Sequence, residues 1–140
     1  MNDRFFLDTN VFVYSFDAKS PAKARRSAEL IREAVSRRAG IVSHQVVQEF
    51  FHVALRRFAR PMTVAEAEQY LAAVFRPLLA VPSSIALYGE ALRVSRRFRL
   101  GWYDSLIVAA ALEGRCSVMY SEDFQHGRRF GELRVENPFQ

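Results

Sequence analysis

Short apolar runs alternate along this chain with longer amphipathic ones, and that alternation limits the fold more than any other feature. Arg4 to Leu7, Ile41 to Val42, Leu78 to Val81, Ser117 to Tyr120 and, more weakly, Leu133 to Glu136 read as strands. Helical segments separate them. A short one follows Asp8-Thr9-Asn10 and runs through Phe16, and a second starts at Ser20-Pro21, a capping hydroxyl before proline, and is expected to stop at Gly40. A third, capped by Ser43, carries Val46, Val47, Phe50, Phe51 and Ala54 as an apolar stripe. Thr63-Val64-Ala65-Glu66 has the spacing of a capping box, and Ser83 or Ser84 opens a helix that ends near Gly101. Tyr103 to Leu112 is apolar almost all round and therefore belongs inside. Strands separated by helices imply a parallel sheet covered on both faces with right-handed crossovers, a doubly wound α/β domain of about five strands.

The length of 140 residues suits one domain spanning 1–140. The opening residues carry no leader pattern, and the longest apolar run, Leu106 to Leu112, is far short of the roughly 20 residues that span a bilayer. A cytoplasmic protein with no membrane association is expected. Cys116 is the only cysteine, which excludes an internal disulfide, and its apolar setting reads as a small core residue. The net charge of +5 comes with arginine pairs at 25–26, 37–38, 56–57, 96–97 and 128–129. Two readings stand: a polyanionic partner, or solvated helix faces in a chain whose only lysines are Lys19 and Lys23.

Function in a doubly wound sheet gathers at the carboxyl ends of the strands. Four acids fall there. Asp8 follows the first strand, Asp123 lies just past the fourth, and Asp104 sits in the first turn of the helix that begins at the same edge. Glu49 is about 9 Å down the helix after the second strand, beside the apolar stripe. Each aspartate has a structural alternative: Asp8 as a helix N-cap, Asp104 as a complement to a helix dipole, Asp123 as a turn residue. Glu49 has no such local task. Together the acids would repel one another and resist ionisation unless a cation neutralised them. Carboxylates suit Mg²⁺, with Mn²⁺ as a substitute, and His44, His52 and His126 lack the spacing of a zinc site. The matching chemistry is phosphodiester hydrolysis, with Asp8, Asp104 and Asp123 holding metal and Glu49 either ligating a second ion or orienting a water. Asn10 and Ser121 are candidates for fixing carboxylate orientation, or else turn and capping residues. Arg128 and Arg129, close after Asp123, are the first candidates for phosphate contact.

Phe6-Leu7-Asp8-Thr9-Asn10, Gln48-Glu49-Phe50, Trp102 to Ile107 and Tyr120-Ser121-Glu122-Asp123-Phe124 resemble, in order, the motifs of PIN domains, over nearly the whole chain. With Gln125-His126-Gly127 following, the chain is most similar to the VapC-like toxins of bacterial toxin–antitoxin pairs. The resemblance implies a magnesium-dependent endoribonuclease acting on single-stranded RNA, a homodimer, and inhibition by a small antitoxin. A non-catalytic RNA-binding PIN domain is the main alternative. A metal-dependent phosphohydrolase of the haloacid-dehalogenase type is a weaker one, because Asn10 stands where that class has a second aspartate.

Overall fold

The computed structural model describes residues 3–140. Its elements are β1 (Phe5–Leu7), α1 (Thr9–Tyr14), α2 (Pro21–Arg37), β2 (Gly40–Ser43), α3 (His44–Ala54), α4 (Val64–Tyr70), a π-helical turn (Leu71–Phe75), α5 (Arg76–Leu78), β3 (Leu79–Val81), α6 (Ile85–Phe98), α7 (Trp102–Glu113), β4 (Val118–Tyr120), β5 (Arg129–Phe130) and β6 (Leu133–Glu136). The sheet has six strands in the order β3-β2-β1-β4-β6-β5. All pairings are parallel except β5 with β6. The expectation of about five strands therefore falls one short: β5 is a two-residue edge strand, too brief to show any periodicity. It closes an antiparallel hairpin through Gly131, whose φ of 63° is a conformation that glycine adopts without strain.

Strand order decides where a site can form. From β1 the chain builds outward through β2 and β3, then returns to lay β4 on the other side of β1. The direction of winding reverses between β1 and β4, so a crevice opens at the carboxyl ends of that pair. Phe5, Phe6 and Leu7 lie opposite Val118, Met119 and Tyr120, which sets the residues after β1 level with the residues after β4.

Two apolar layers hold this frame. Phe6, Leu7, Val42, Met119 and Val135 are fully buried in the sheet, and Val108, Ala109 and Ala111 of α7 are equally buried. An aromatic group fastens α1, α3 and the π-helical turn together: Phe12 meets Phe75 at 5.0 Å and Phe50 at 6.4 Å, and Phe50 stacks on Tyr70 at 4.9 Å. Such pairs add to area burial by about 0.5–1.5 kcal/mol each.

Several local expectations change in the fold. Gly40 does not stop α2. Arg38 does, in the left-handed region at φ 56°, and Gly40 is the first residue of β2. A Cβ at Gly40 would come within 2.3 Å of Ala34 Cβ and 2.9 Å of Phe5, so glycine is required there for helix-to-strand contact. Ser43 occupies the N-cap position of α3, but its buried hydroxyl makes no capping bond. Thr63 and Glu66 do form the reciprocal capping box, and Ser84, not Ser83, caps α6. Cys116 lies before β4 rather than in it, and burial pushes its thiol up to about 12, leaving it without nucleophilic character at neutral pH.

Candidate active site

Asp8 is the N-cap of α1 and 4% exposed. The backbone N–H of Thr9 donates to its Oδ1 at 2.7 Å, and the hydroxyl of Ser121 donates to Oδ2 at 2.7 Å. The capping alternative raised by the sequence is thus part of the geometry. Capping alone does not require the burial. Desolvation is the main reason that the Asp8 carboxyl is pushed up to about 7. The bonds from Ser121 and Thr9 pull the other way, and the charges of Asp123 and Glu49 add to the rise.

Ser121 links two acids. Its Oγ donates to Asp8 and accepts from the backbone N–H of Asp123 at 3.1 Å, which fixes the loop after β4 against the end of β1. Asp123 is more exposed; burial first, then the charges of Asp104, Glu122 and Glu49, raise its carboxyl. Asn10 lies near enough to Asp123 to favour its charged form, yet neither amide atom completes a hydrogen bond of good geometry. Asp104 is exposed in the first turn of α7, as its place at the helix start requires.

Glu49 is held by two residues that the sequence reading missed. Thr9 Oγ1 donates to Glu49 Oε1 at 2.6 Å, and Gln45 Nε2 donates to Oε2 at 3.2 Å. Gln45 Nε2 also reaches the carbonyl of Tyr103 at 3.2 Å, so one amide ties α3 to the first turn of α7 beside Asp104. The i, i+4 spacing of Gln45 and Glu49 was a usable signal for this pairing. Thr9 carried none, since its partner is 40 residues away.

Glu122, next to Asp123, is committed elsewhere. It accepts from Tyr14 Oη and pairs with Lys23 Nζ at 2.8 Å, and Lys23 lies over the Tyr14 ring. A fifth carboxylate is thereby neutralised by α1 and α2. The histidines take no part: His126 Nδ1 accepts from the backbone of Asn137, His44 Nδ1 is buried without a partner, and His52 is exposed. Arg128 is half-buried, donating to the Phe98 carbonyl at 3.4 Å with its guanidinium over the Phe130 ring, while Arg129 in β5 is exposed. A cavity of about 760 Å³ beside α1 is lined by Phe16, Val53, Phe58 and Met62 and by the charged Asp17, Lys19, Arg57, Arg60 and Glu66, and none of Asp8, Glu49, Asp104 and Asp123 lines it.

Among the described residues no three carboxylate, imidazole or thiolate groups stand close enough to enclose a metal ion. The carboxylate site is therefore not a closed cage. It still fits one class of cation. Its donors are all oxygen, and Mg²⁺ retains several waters while taking only one or two carboxylates directly. Asp8, whose ionisation is opposed by burial and by the charges of Asp123 and Glu49, would be stabilised in the charged form by such an ion.

No helix among the described residues is long and apolar enough to cross a membrane. No curated protein matches the chain in sequence. Solved structures with similar folds include a toxin–antitoxin complex from Klebsiella pneumoniae, at TM-score 0.67 and 14% identity over 95% of this chain and 96% of that one. The FitAcB structure from Neisseria gonorrhoeae matches at TM-score 0.62 and 17% identity, over 96% and 98%. A Mycobacterium tuberculosis VapC toxin described as cleaving the sarcin–ricin loop matches at TM-score 0.62 and 20% identity, over 93% and 98%. The PIN domain family model matches residues 5–130, and the chain belongs to that family.

Proposed function

We propose that this PIN domain, one unit over residues 1–140, is a metal-dependent endoribonuclease and the toxin of a toxin–antitoxin pair. The observation that carries the reading is the convergence of Asp8, Glu49, Asp104 and Asp123 at the switch point between β1 and β4. An acidic edge of this kind is costly to a fold and useful for binding a divalent cation. Asp8, Asp104 and Asp123 would hold Mg²⁺, or Mn²⁺ in its place, one or two of them directly and the rest through the waters it retains, with Glu49 at the side. The bound cation would stabilise charge on the phosphoryl oxygens and lower the pKa of a water. Glu49, oriented by Thr9 and Gln45, would ligate a second ion or orient the attacking water and take its proton; Ser121 sets the angle of Asp8, and Asn10 favours the charged form of Asp123. Water attacks phosphorus, one P–O bond breaks, and the leaving oxygen acquires a proton. Arg128 and Arg129 contact substrate phosphates.

RNA as substrate is supported by the family and by the sarcin–ricin-loop-cleaving neighbour. A small antitoxin partner is supported by neighbours described as toxin–antitoxin complexes. A cationic side chain from that antitoxin would enter the acidic edge and pair with Asp8, Asp104 and Asp123. Its flanking apolar and acidic residues would use the groove lined by Phe16, Phe58 and Met62 and the cations Lys19, Arg57 and Arg60. We further propose a cytoplasmic homodimer. Total cellular RNA incubated with the protein tests the enzyme: cleavage abolished by chelator and by Asp8→Asn supports the reading, and undiminished cleavage in both refutes the metal mechanism. Co-expression with the protein encoded alongside, followed by co-purification, tests the partner.

A further inference from the structure

The geometry points to a base-stacking shelf for single-stranded RNA, formed by Trp102 and Tyr103 at the start of α7 beside the acidic edge. This inference rests on the nuclease reading above and adds to it the part of the substrate that is gripped.

Tyr103 is 67% exposed and Trp102 39% exposed, although both sit in the first turn of a helix whose remaining length is almost wholly buried. Nothing in the helix start calls for two large rings in solvent. Their place relative to the acids is set by Gln45, whose amide bonds both the Tyr103 carbonyl and the Glu49 carboxylate, and by Asp104, the next residue. Trp102 is steadied from behind by Tyr88 of α6, ring centroids 6.1 Å apart at 41°, and keeps exposed surface for a further ring.

Cations lie close by along the chain. Arg97, near the end of α6 with its guanidinium over the Phe98 ring, and Arg99, just past that end, are only a few residues before Trp102, and both are exposed with no acidic partner among the described residues. Arg128 bonds the Phe98 carbonyl at that same end of α6. Aromatic faces flanked by unneutralised arginines match the alternating bases and phosphates of a single strand, which proteins hold by stacking and by charge. Exposed aliphatic surface would fit a second copy of the chain instead, and Ile85 and Leu92 on α6 offer some. The rings, the charge and the continuity with the acids favour nucleic acid at Trp102 and Tyr103.

Trp102 is the only tryptophan, so its fluorescence reports on the shelf directly. The test uses the full chain carrying Asp8→Asn, to prevent cleavage, and a short mixed-sequence RNA made with and without an abasic position at each nucleotide in turn. Three results are expected. Normal RNA quenches Trp102 emission, and an abasic substitution at one or two positions relieves the quench. Tyr103→Ala weakens binding about 5- to 100-fold, whereas Tyr103→Phe, which keeps the ring, binds as the parent does. Arg99→Ala flattens the dependence of affinity on salt, and Tyr103→Ala does not. Unchanged affinity in Tyr103→Ala and Trp102→Leu, both folded by circular dichroism, overturns the shelf while leaving the nuclease reading intact if wild-type protein still cleaves RNA. Failure of wild-type protein to bind or cleave any RNA removes both. Conversion of a dimer to a monomer by Tyr103→Ala, seen by sedimentation, assigns the rings to an interface between copies and also overturns the proposal.

Discussion

The hydroxyl of Ser121 donates to the carboxylate of Asp8 across 113 residues of sequence, at 2.7 Å, in a pocket where Ser121 is fully buried and Asp8 nearly so. This bond is where β1 and β4, side by side in the sheet, join their loops. It holds a buried acid in a fixed orientation and, through the N–H of Asp123, positions a second acid. Ser121→Ala removes a donor from Asp8 and an acceptor from Asp123. The expected result is a loss of about 10- to 100-fold in metal affinity or turnover, with a stability cost of about 1–3 kcal/mol for the unsatisfied groups. Metal titration of activity checks the first and urea unfolding the second; equal metal dependence in wild type and variant would remove Ser121 from the site.

Asp8 also makes stability depend on pH. Burial raises its carboxyl to about 7 from the ordinary 3.8. Between those values the metal-free fold retains a proton that the unfolded chain has released, so stability falls as pH rises from about 4 to about 7. The slope from this group is at most ~1.4 kcal/mol per pH unit. Asp123, raised in the same direction, adds to it, and Glu122, lowered by its bonds to Lys23 and Tyr14 despite its desolvation, opposes it. Asp8→Asn abolishes cleavage, keeps an N-cap and deletes the Asp8 contribution. In metal-free urea unfolding the variant is therefore more stable than wild type at pH 7.5, and the advantage shrinks toward pH 4.5. A variant less stable at both values would make Asp8 chiefly a structural cap.

Divalent cation binding to the folded acids raises the melting temperature. A cation that binds only the native state stabilises by about 2.7 kcal/mol at a hundredfold excess over its dissociation constant. Mg²⁺ or Mn²⁺ is expected to raise the wild-type midpoint by several degrees and to leave Asp8→Asn and Asp104→Asn almost unmoved. Differential scanning calorimetry in chelated buffer with added metal checks this, and identical shifts in all three proteins would place the cation elsewhere.

Thr9 orients Glu49 through a 2.6 Å bond, so its hydroxyl matters more than its methyl group. Thr9→Ala lowers kcat by about 10-fold or more with little change in KM, and Thr9→Ser restores most of it. Steady-state kinetics on a defined RNA decides the point; equal losses in the two variants would trace the effect to packing.

Gly40 and Gly114 both lack room for a Cβ, but their neighbours differ. At Gly40 the obstacle is Ala34 Cβ at 2.3 Å and Cα at 2.8 Å, atoms that move only with the α2 backbone; at Gly114 it is the terminal Cδ1 of Ile41 at 2.2 Å, which a rotamer change can clear. Gly40→Ala is expected to cost about 1–3 kcal/mol and Gly114→Ala clearly less. Thermal melts of the two variants check the order, and the reverse order would contradict the packing at β2.

Much of the frame follows from residues read in order. Apolar runs of strand length at Phe5–Leu7 and Val118–Tyr120, the proline after Ser20, the Thr63–Glu66 capping box and the apolar α7 are local signals, because hydrogen bonding and burial period act over a few residues. Local signals also place Asp8, Asp104 and Asp123 at strand or helix ends. Other features depend on which strands become neighbours. The bond from Ser121 to Asp8 exists only because β4 returns to the side of β1, the bond from Thr9 to Glu49 only because α3 packs on α1, and the bond from Gln45 to the Tyr103 carbonyl only because α7 begins beside α3. The end of α2 at a left-handed arginine, with glycine reserved for contact with Ala34, reverses a sound local rule because close packing outweighed backbone preference. Chain order thus determined the elements and the kinds of residue at their ends. The tertiary structure alone decided which of those ends meet, since hydrogen bonds and charge repulsion depend on distance in space and the sequence records only distance along the chain.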